Sequence, residues 1–403
     1  MKISKQNGGN IMMKRMKKFA SIIFVTALLS TLLAGCGDGA GGGGDGEVWR
    51  IGGIGPTSGP AALFGQSVEN GALVAVEEIN AAGGINGFPI EFNFQDDQHD
   101  AEISVNAYNA LKDWGMQILL GTVTSTPAIA VSQEAYRDNL FMITPSATAI
   151  AAIAVPNAFR VCFSDPDQGR ASADFMSKEM PTYNVGILYD SSCAFSSGIF
   201  ETFYGEAEAR GLNVVSVEAF TEASNTDFSV QLQLASDADV DVLFLPIYYQ
   251  EASLIFHQAR EIGFSPVFFG VDGMDGILGV EGFDTSLAEG VKFLAPFAPT
   301  AEDEATQNFV KAYAEMHDGA VPLQFAANAY DGMFIIKAAI EHAGLTPDMS
   351  VSDIGDALVQ AMLEITVNGV TLQDGTWGPD GEPDKEPMVI QIRDGQYWVI
   401  YPY

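Results

Sequence analysis

The chain has 403 residues, 47% of them hydrophobic, and carries 52 Asp and Glu against 19 Lys and Arg, a net charge of −33. A field this acidic repels a polyanion, which argues against nucleic acid as a partner. Three cysteines are too few for a disulfide scaffold, and the length exceeds what one hydrophobic core usually organises, so two lobes or domains are expected.

The chain opens with Lys14, Arg15, Lys17 and Lys18, followed by an apolar stretch from Phe19 to Ala34 that is too short to settle as a transmembrane helix. This is the pattern of an export signal, and Met13 and Met16 fit as alternative starts. Leu33-Ala34-Gly35-Cys36 resembles a lipobox. In bacterial lipoproteins cleavage precedes such a cysteine, whose sulfur then carries a diacylglycerol. The resemblance implies a signal peptide over 1–35 and a lipid anchor on Cys36 that holds the protein at the extracellular face of the cell membrane, the periplasmic side in a Gram-negative cell. An ordinary signal peptide with an incidental cysteine is the alternative. Cleavage would remove six basic residues and leave 13 against 52 acids, net −39, with no basic cluster surviving. Anchor and tether span 36–47. The glycines and acids of 37–46 cannot pack and read as a flexible spacer. No later apolar run is long enough to cross a bilayer.

After the tether the chain alternates strands and helices. Trp49 to Ile54 is a strand, Gly55-Pro56-Thr57-Ser58-Gly59-Pro60 a loop, and Ser67 to Asn80 a helix with Ala72, Val76 and Ile79 on one face. Ala81-Ala82-Gly83-Gly84 stops it. Ile90 to Phe94 is a strand, Ile103 to Trp114 a helix and Ile118 to Leu120 a strand. A helix from Thr126-Pro127 through Tyr136 places Pro127 at the favoured first position, and Leu140 to Ile143 follows as a strand. The grammar restarts at Val185. Strands over Val185 to Leu188, Val214 to Val217, Val242 to Leu245 and Val267 to Phe269 alternate with helices over Ile199 to Arg210, Phe228 to Ala235 and Ala252 to Ile262. The implied fold class is α/β, with two Rossmann-like lobes of parallel strands flanked by helices.

In open sheets of this kind ligands bind beyond the carboxyl ends of the strands. In the first lobe those ends are the hydroxyl-rich turns Gly121 to Thr126 and Thr144 to Thr148. In the second they are Pro246 to Gln250, with two tyrosines, and Gly270-Val271-Asp272-Gly273. One side offers hydroxyls and helix-start N–H groups to an anion, and the other offers rings and a carboxylate, so together they suit a zwitterion. Singly, Ser125, Thr126 and Thr148 could equally cap helices and Asp272 make a turn. Their coincidence at matching positions favours a ligand site.

These segments carry a resemblance. Ile54 to Pro60, GALVAVEEINAAGGING from Gly71 to Gly87, Gln95-Asp96-Asp97, Thr144 to Thr148, Thr226-Asp227-Phe228-Ser229 and Gln258 to Gly263, in this order, are similar to the leucine/isoleucine/valine-binding proteins, type I solute-binding proteins of amino-acid ATP-binding-cassette importers. The resemblance covers nearly the whole mature chain. It implies a type I periplasmic-binding-protein fold whose lobes, 48–164 plus 296–376 and 165–295 plus 377–403, are joined by a hinge of three crossover strands and close on an amino acid. It implies that Ser125, Thr126, Ser146 and Thr148 hold the carboxylate and help hold the ammonium, that Asp272 pairs with the ammonium, and that Tyr248 closes over the ligand. Phe64 and Phe195 stand where the family commonly has aromatics with polar tips, which points to an apolar side-chain pocket; Asp272 is a methylene shorter than the frequent glutamate. The implied partners are a branched-chain or other apolar amino acid and the permease of an importer, with the chain acting as a monomer.

Enzyme signatures are missing from the sequence. His99, His257, His317 and His342 are scattered without a zinc spacing. Gly53-Ile54-Gly55 has Ser58 where the third glycine of a dinucleotide fingerprint belongs. Asp237, Asp239 and Asp241 start like a calcium loop, but Val242 and Tyr248 occupy its required Gly and Glu positions. No GxSxG elbow is present. No cofactor, metal or catalytic residue is expected. A sensory module of the same fold and an extracellular hydrolase are the rival readings. Asp227 reads as an N-cap and Asp96-Asp97 as a solvated loop. Cys162 and Cys193 could form one bridge, since pairing needs Cα atoms within about 7 Å, but free thiols are preferred.

Overall fold

The computed structural model describes residues 47–401; the expected leader, Cys36 and the tether through residue 46 lie outside the described residues. The first half lays down β1 (Trp49–Gly55), α1 (Ala62–Ala81), β2 (Ile90–Asp96), α2 (Ala101–Trp114), β3 (Ile118–Gly121), α3 (Ser125–Asp138), β4 (Met142–Thr144) and β5 (Ala158–Arg160). Its five strands are all parallel, in the order β2-β1-β3-β4-β5. Parallel strands covered on both faces must be apolar throughout, and Ile118, Leu119 and Leu120 of β3 are all fully buried. Local chemistry sets the helix ends. Asp100 caps α2 by accepting from Glu102 N–H at 2.8 Å and Ile103 N–H at 2.9 Å, and Gly115 ends it in the left-handed region.

The second half contains α4 (Asp165–Glu179), β6 (Asn184–Asp190), α5 (Ala194–Arg210), β7 (Asn213–Phe220), α6 (Ser229–Asp237), β8 (Val242–Leu245), α7 (Tyr249–Glu261), β9 (Val267–Gly270) and β10 (Lys292–Ala295). Three helices follow, α8 (Glu304–Met316), α9 (Gln324–Ala343) and α10 (Val351–Met362), and the chain ends in the hairpin β11 (Met388–Arg393) and β12 (Gln396–Tyr401). The second sheet runs β12-β11-β10-β9-β8-β6-β7. It is mixed rather than purely parallel, because β11 and β12 add to β10 antiparallel. Helices α8 and α9 return to the first half and pack on α1. A Cβ at Gly71 of α1 would lie 2.1 Å from the carbonyl oxygen of Ala326, so only glycine permits this close approach.

The chain therefore passes between the halves three times, through 161–164, 296–303 and 363–387. These crossings are irregular chain instead of the expected strands. Two of them lock together. The fully buried Arg160 guanidinium lies 3.2 Å from Glu382, and Trp377 donates its ring N–H to the Arg160 carbonyl at 2.8 Å. Lys385 donates to the carbonyl of Val161 at 3.0 Å and to Asn328 Oδ1 at 2.9 Å. Burial pulls the Lys385 amine down to about 8.

Several helix starts differ from the sequence reading: α2 begins at Ala101, two residues before Ile103, α5 at Ala194, five before Ile199, and α7 at Tyr249, three before Ala252. Helix α1 begins at Ala62, five residues before Ser67, because Phe64 is drawn into contact with rings distant in sequence, Tyr248, Tyr249 and Phe325. Helix α3 begins at Ser125, which makes Pro127 its third residue. Asp227 is not the cap of α6. It sits one residue before Phe228 and accepts from Ser229 N–H at 3.0 Å in a local turn. Among the described residues no helix is long and apolar enough to cross a membrane.

Candidate ligand-binding cleft

The first wall is built by the turns after β3 and β4. Thr144 Oγ1 donates to the Thr122 carbonyl at 2.6 Å and accepts from Ala147 N–H at 2.9 Å, while Ser146 Oγ donates to the Val123 carbonyl at 2.7 Å. Ser125 Oγ accepts from Ala149 N–H at 3.2 Å. The two turns are thus laced into one surface. At the start of α3, Thr124 supplies no side-chain cap, the amides of Ser125 and Thr126 have no acceptor among the described residues, and Pro127 has no N–H. Those two free amides at the positive end of the helix dipole form an anion-binding feature.

The opposite wall follows β8 and β9. Asp272 is 3% exposed, its Oδ1 has no hydrogen-bond partner, and no Lys or Arg lines the pocket it faces. Burial pushes its carboxyl up to about 7. A buried carboxylate without a counter-charge is costly, so this position is complementary to a cation. Gly273 keeps the space open. A Cβ there would lie 2.8 Å from both the Ile247 carbonyl and the Tyr248 ring, and 3.0 Å from Phe195.

Between these walls lies a narrow pocket, with a cavity volume of only about 10 Å³, lined by Phe64, Ser125, Ser146, Phe195, Tyr248 and Asp272, six of the eight residues singled out from the sequence. Its rings touch across the cleft, with centroids 5.3 Å apart for Phe64 and Tyr248 and 4.8 Å for Phe195 and Tyr248. The Tyr249 hydroxyl accepts from Leu63 N–H at 3.2 Å, a further bond between the halves. The other two residues lie apart. Thr126 opens onto an adjoining chamber of about 120 Å³ that also shows Asp190, Glu222 and Glu251. Thr148 is fully buried behind the pocket, its hydroxyl beside the carboxyl of Asp165, which burial holds well above the usual carboxylate range.

Sequence reasoning missed Phe325, whose ring packs 4.4 Å from Phe64 and completes the aromatic wall. It also missed His99, whose Nδ1 lies 2.8 Å from Thr124 Oγ1 and whose ring meets Tyr248 edge-on. Neither carries a local motif. Asp97 is no solvated loop. It is fully buried, accepts from His99 N–H at 2.9 Å and from Ser104 Oγ at 3.1 Å, and burial raises it to about 6. Cys162 and Cys193 are both free. Among the described residues no group of His, Cys, Asp and Glu could hold a metal ion.

Residues 48–396 match the periplasmic binding protein family. The chain belongs to that family. This binding protein is 31% identical over 303 residues to Leu/Ile/Val-binding protein homolog 3 of Brucella melitensis, an alignment covering 74% of this chain and 80% of the relative. It is 27% identical over 300 residues to the leucine-, isoleucine-, valine-, threonine-, and alanine-binding protein of Pseudomonas aeruginosa, covering 74% and 79%. Among solved structures, the branched-chain amino acid transporter substrate-binding protein LivJ of Streptococcus pneumoniae, in complex with isoleucine, superposes with a TM-score of 0.80 at 26% identity over 88% of this chain and 100% of that one. The leucine-binding protein LivK of Thermotoga maritima gives 0.78 at 26% identity, covering 87% and 97%. The two-lobed α/β fold expected from the sequence is that of these type I binding proteins.

Proposed function

We propose that this binding protein captures an amino acid with an apolar side chain between its two lobes and delivers it to the permease of an ATP-binding-cassette importer. It would act as a monomer held at the outer membrane face by a lipid on Cys36, after loss of residues 1–35. One observation carries the ligand class. The buried carboxylate of Asp272, its Oδ1 without a partner, faces, across one pocket, a hydroxyl surface with two free helix-start amides, a polar pair complementary to the ammonium and carboxylate of a zwitterion. The rings of Phe64, Phe195, Tyr248 and Phe325 line the pocket with apolar surface, against which the side chain would pack. The Leu/Ile/Val-binding relatives and the isoleucine complex support the same cargo.

Closure follows if the ligand bridges both walls, because it then gains contacts that the open form lacks. Stabilisation should follow mass action, about 2.7 kcal/mol at a hundredfold excess over Kd. The test is a thermal-shift and calorimetric panel of leucine, isoleucine and valine against their keto acids and decarboxylated amines. The amino acids are expected to raise Tm while both truncated series fail. A shift from the keto acids alone would remove Asp272 from the site, and no shift from any amino acid would overturn the cargo class.

A further inference from the structure

The backbone of Asp272 is gripped from both sides of the cleft. Gln168 on α4, in the second lobe, accepts from its N–H at 2.9 Å. Gln324, the first residue of α9 in the first lobe, donates its side-chain amide to the Asp272 carbonyl, also at 2.9 Å. The same turn reaches back, since Asp275 Oδ2 accepts from the backbone N–H of Gln324 at 2.8 Å. Asp275 and Gln324 are 2% and 1% exposed. The Tyr397 hydroxyl on β12 accepts from Gly276 N–H at 3.3 Å and steadies the turn within its own lobe. Helix α9 has Leu323 at its N-cap, which supplies no side-chain acceptor. Asp275 fills that role from across the cleft, with a carboxylate at the positive end of the α9 dipole.

We infer that Asp275 and Gln324 form a latch between the lobes, made as the cleft closes, that sets the position of Asp272. With the lobes apart, the first N–H of α9, the Asp275 carboxylate and the Asp272 carbonyl would all be hydrated. Closing replaces that water with two bonds, one capping a helix and one pinning the residue whose carboxylate faces the pocket. Phe325 follows Gln324 directly, so one helix start brings both a ring of the pocket and the latch into place. Closure and placement of the ligand-facing acid thereby become a single event, which couples the lobe equilibrium to affinity. Both latch residues are positioning residues; neither lines the pocket.

The ligand arm of the test rests on the amino-acid reading, whereas the geometric arm does not. The full chain and its Asp275→Ala, Asp275→Asn and Gln324→Leu variants are compared by small-angle scattering without ligand and by calorimetry with L-leucine and L-isoleucine. Asp275→Ala and Gln324→Leu are expected to raise the ligand-free radius of gyration and to weaken binding by about tenfold to a hundredfold. Asp275→Asn, which keeps an oxygen for the Gln324 N–H, should restore most of both. An unchanged radius of gyration together with an unchanged affinity overturns the latch, as does an Asn variant no better than Ala. If Asp275→Ala does not fold, Gln324→Leu decides, since it leaves the cap intact. If the wild-type chain binds no amino acid, the cargo reading falls and the scattering series alone decides the latch, an unchanged radius overturning it.

Discussion

The two walls of the cleft are made by opposite means. The hydroxyls of one wall are laced into its own turns, although the amides of Ser125 and Thr126 stay open. Thr144, Ser146 and Ser125 bond to backbone groups of the same two neighbouring turns, so its shape exists before any ligand arrives. The acidic wall cannot do this, because Asp272 leaves one carboxylate oxygen unpartnered and its backbone is held by glutamines 104 and 52 residues away in sequence. A wall laced within itself gives shape, and a wall that leaves a buried charge open gives a driving force to whatever completes it.

The largest test of this contrast is Asp272→Asn. Removing the charge should weaken L-leucine or L-isoleucine binding by about a hundredfold or more, roughly 3 kcal/mol. The ligand-free Tm should stay level or rise, because the buried charge is itself a burden. Calorimetry and thermal melting read the two effects, and a loss below about threefold would mean that the acidic wall does not receive the cation.

Next comes pH. The ordinary carboxyl value of 3.8 is raised to about 7 at Asp272, so the ligand-free folded protein holds this proton where the unfolded chain has lost it. Its contribution to stability is therefore full below about 4 and is lost as pH rises through about 7; Asp275 and Asp97, each raised to about 6, act with the same sign. Affinity should move the other way, strengthening by up to about tenfold per unit as pH rises toward 7 and flattening above it. Titration calorimetry in buffers of different ionisation enthalpy would also detect a proton released on binding near pH 6. A flat profile would detach Asp272 from the cation.

Ser125→Ala tests the hydroxyl wall. It deletes one hydroxyl but leaves the amides of Ser125 and Thr126 in place, so a loss of about fivefold to tenfold is expected. A loss as large as that of Asp272→Asn would erase the distinction between the walls. Tyr248→Phe should do least, under about threefold, since the ring that packs against Phe64 and Phe195 is retained.

What could be read from the sequence divides along the same line. The turns at 121–126 and 144–148 stand out because their chemistry is local, hydroxyls directly after short apolar strands. Asp272 is found for the same reason, at the end of an apolar strand. Phe325, Gln168 and Gln324 are not found, because each is an ordinary helix residue whose role exists only once distant elements pack. The early start of α1 escapes for a related reason, since Phe64 is drawn in by rings from the other half. The antiparallel hairpin at the end of the second sheet lies beyond three helices of the first half, so no strand-helix alternation points to it.

That last arrangement has a consequence for how the molecule can come apart. The sheet that receives β11 and β12 is otherwise complete by residue 295, yet its final edge arrives nearly a hundred residues later. Neither half is a continuous stretch of chain, and no single cut separates them. A protease nick within 363–387 would detach only the hairpin and expose β10 as a raw edge, with the buried Phe293 and Leu294 beside it. The second half must therefore wait, during synthesis, for β11 and β12 before its sheet is sealed.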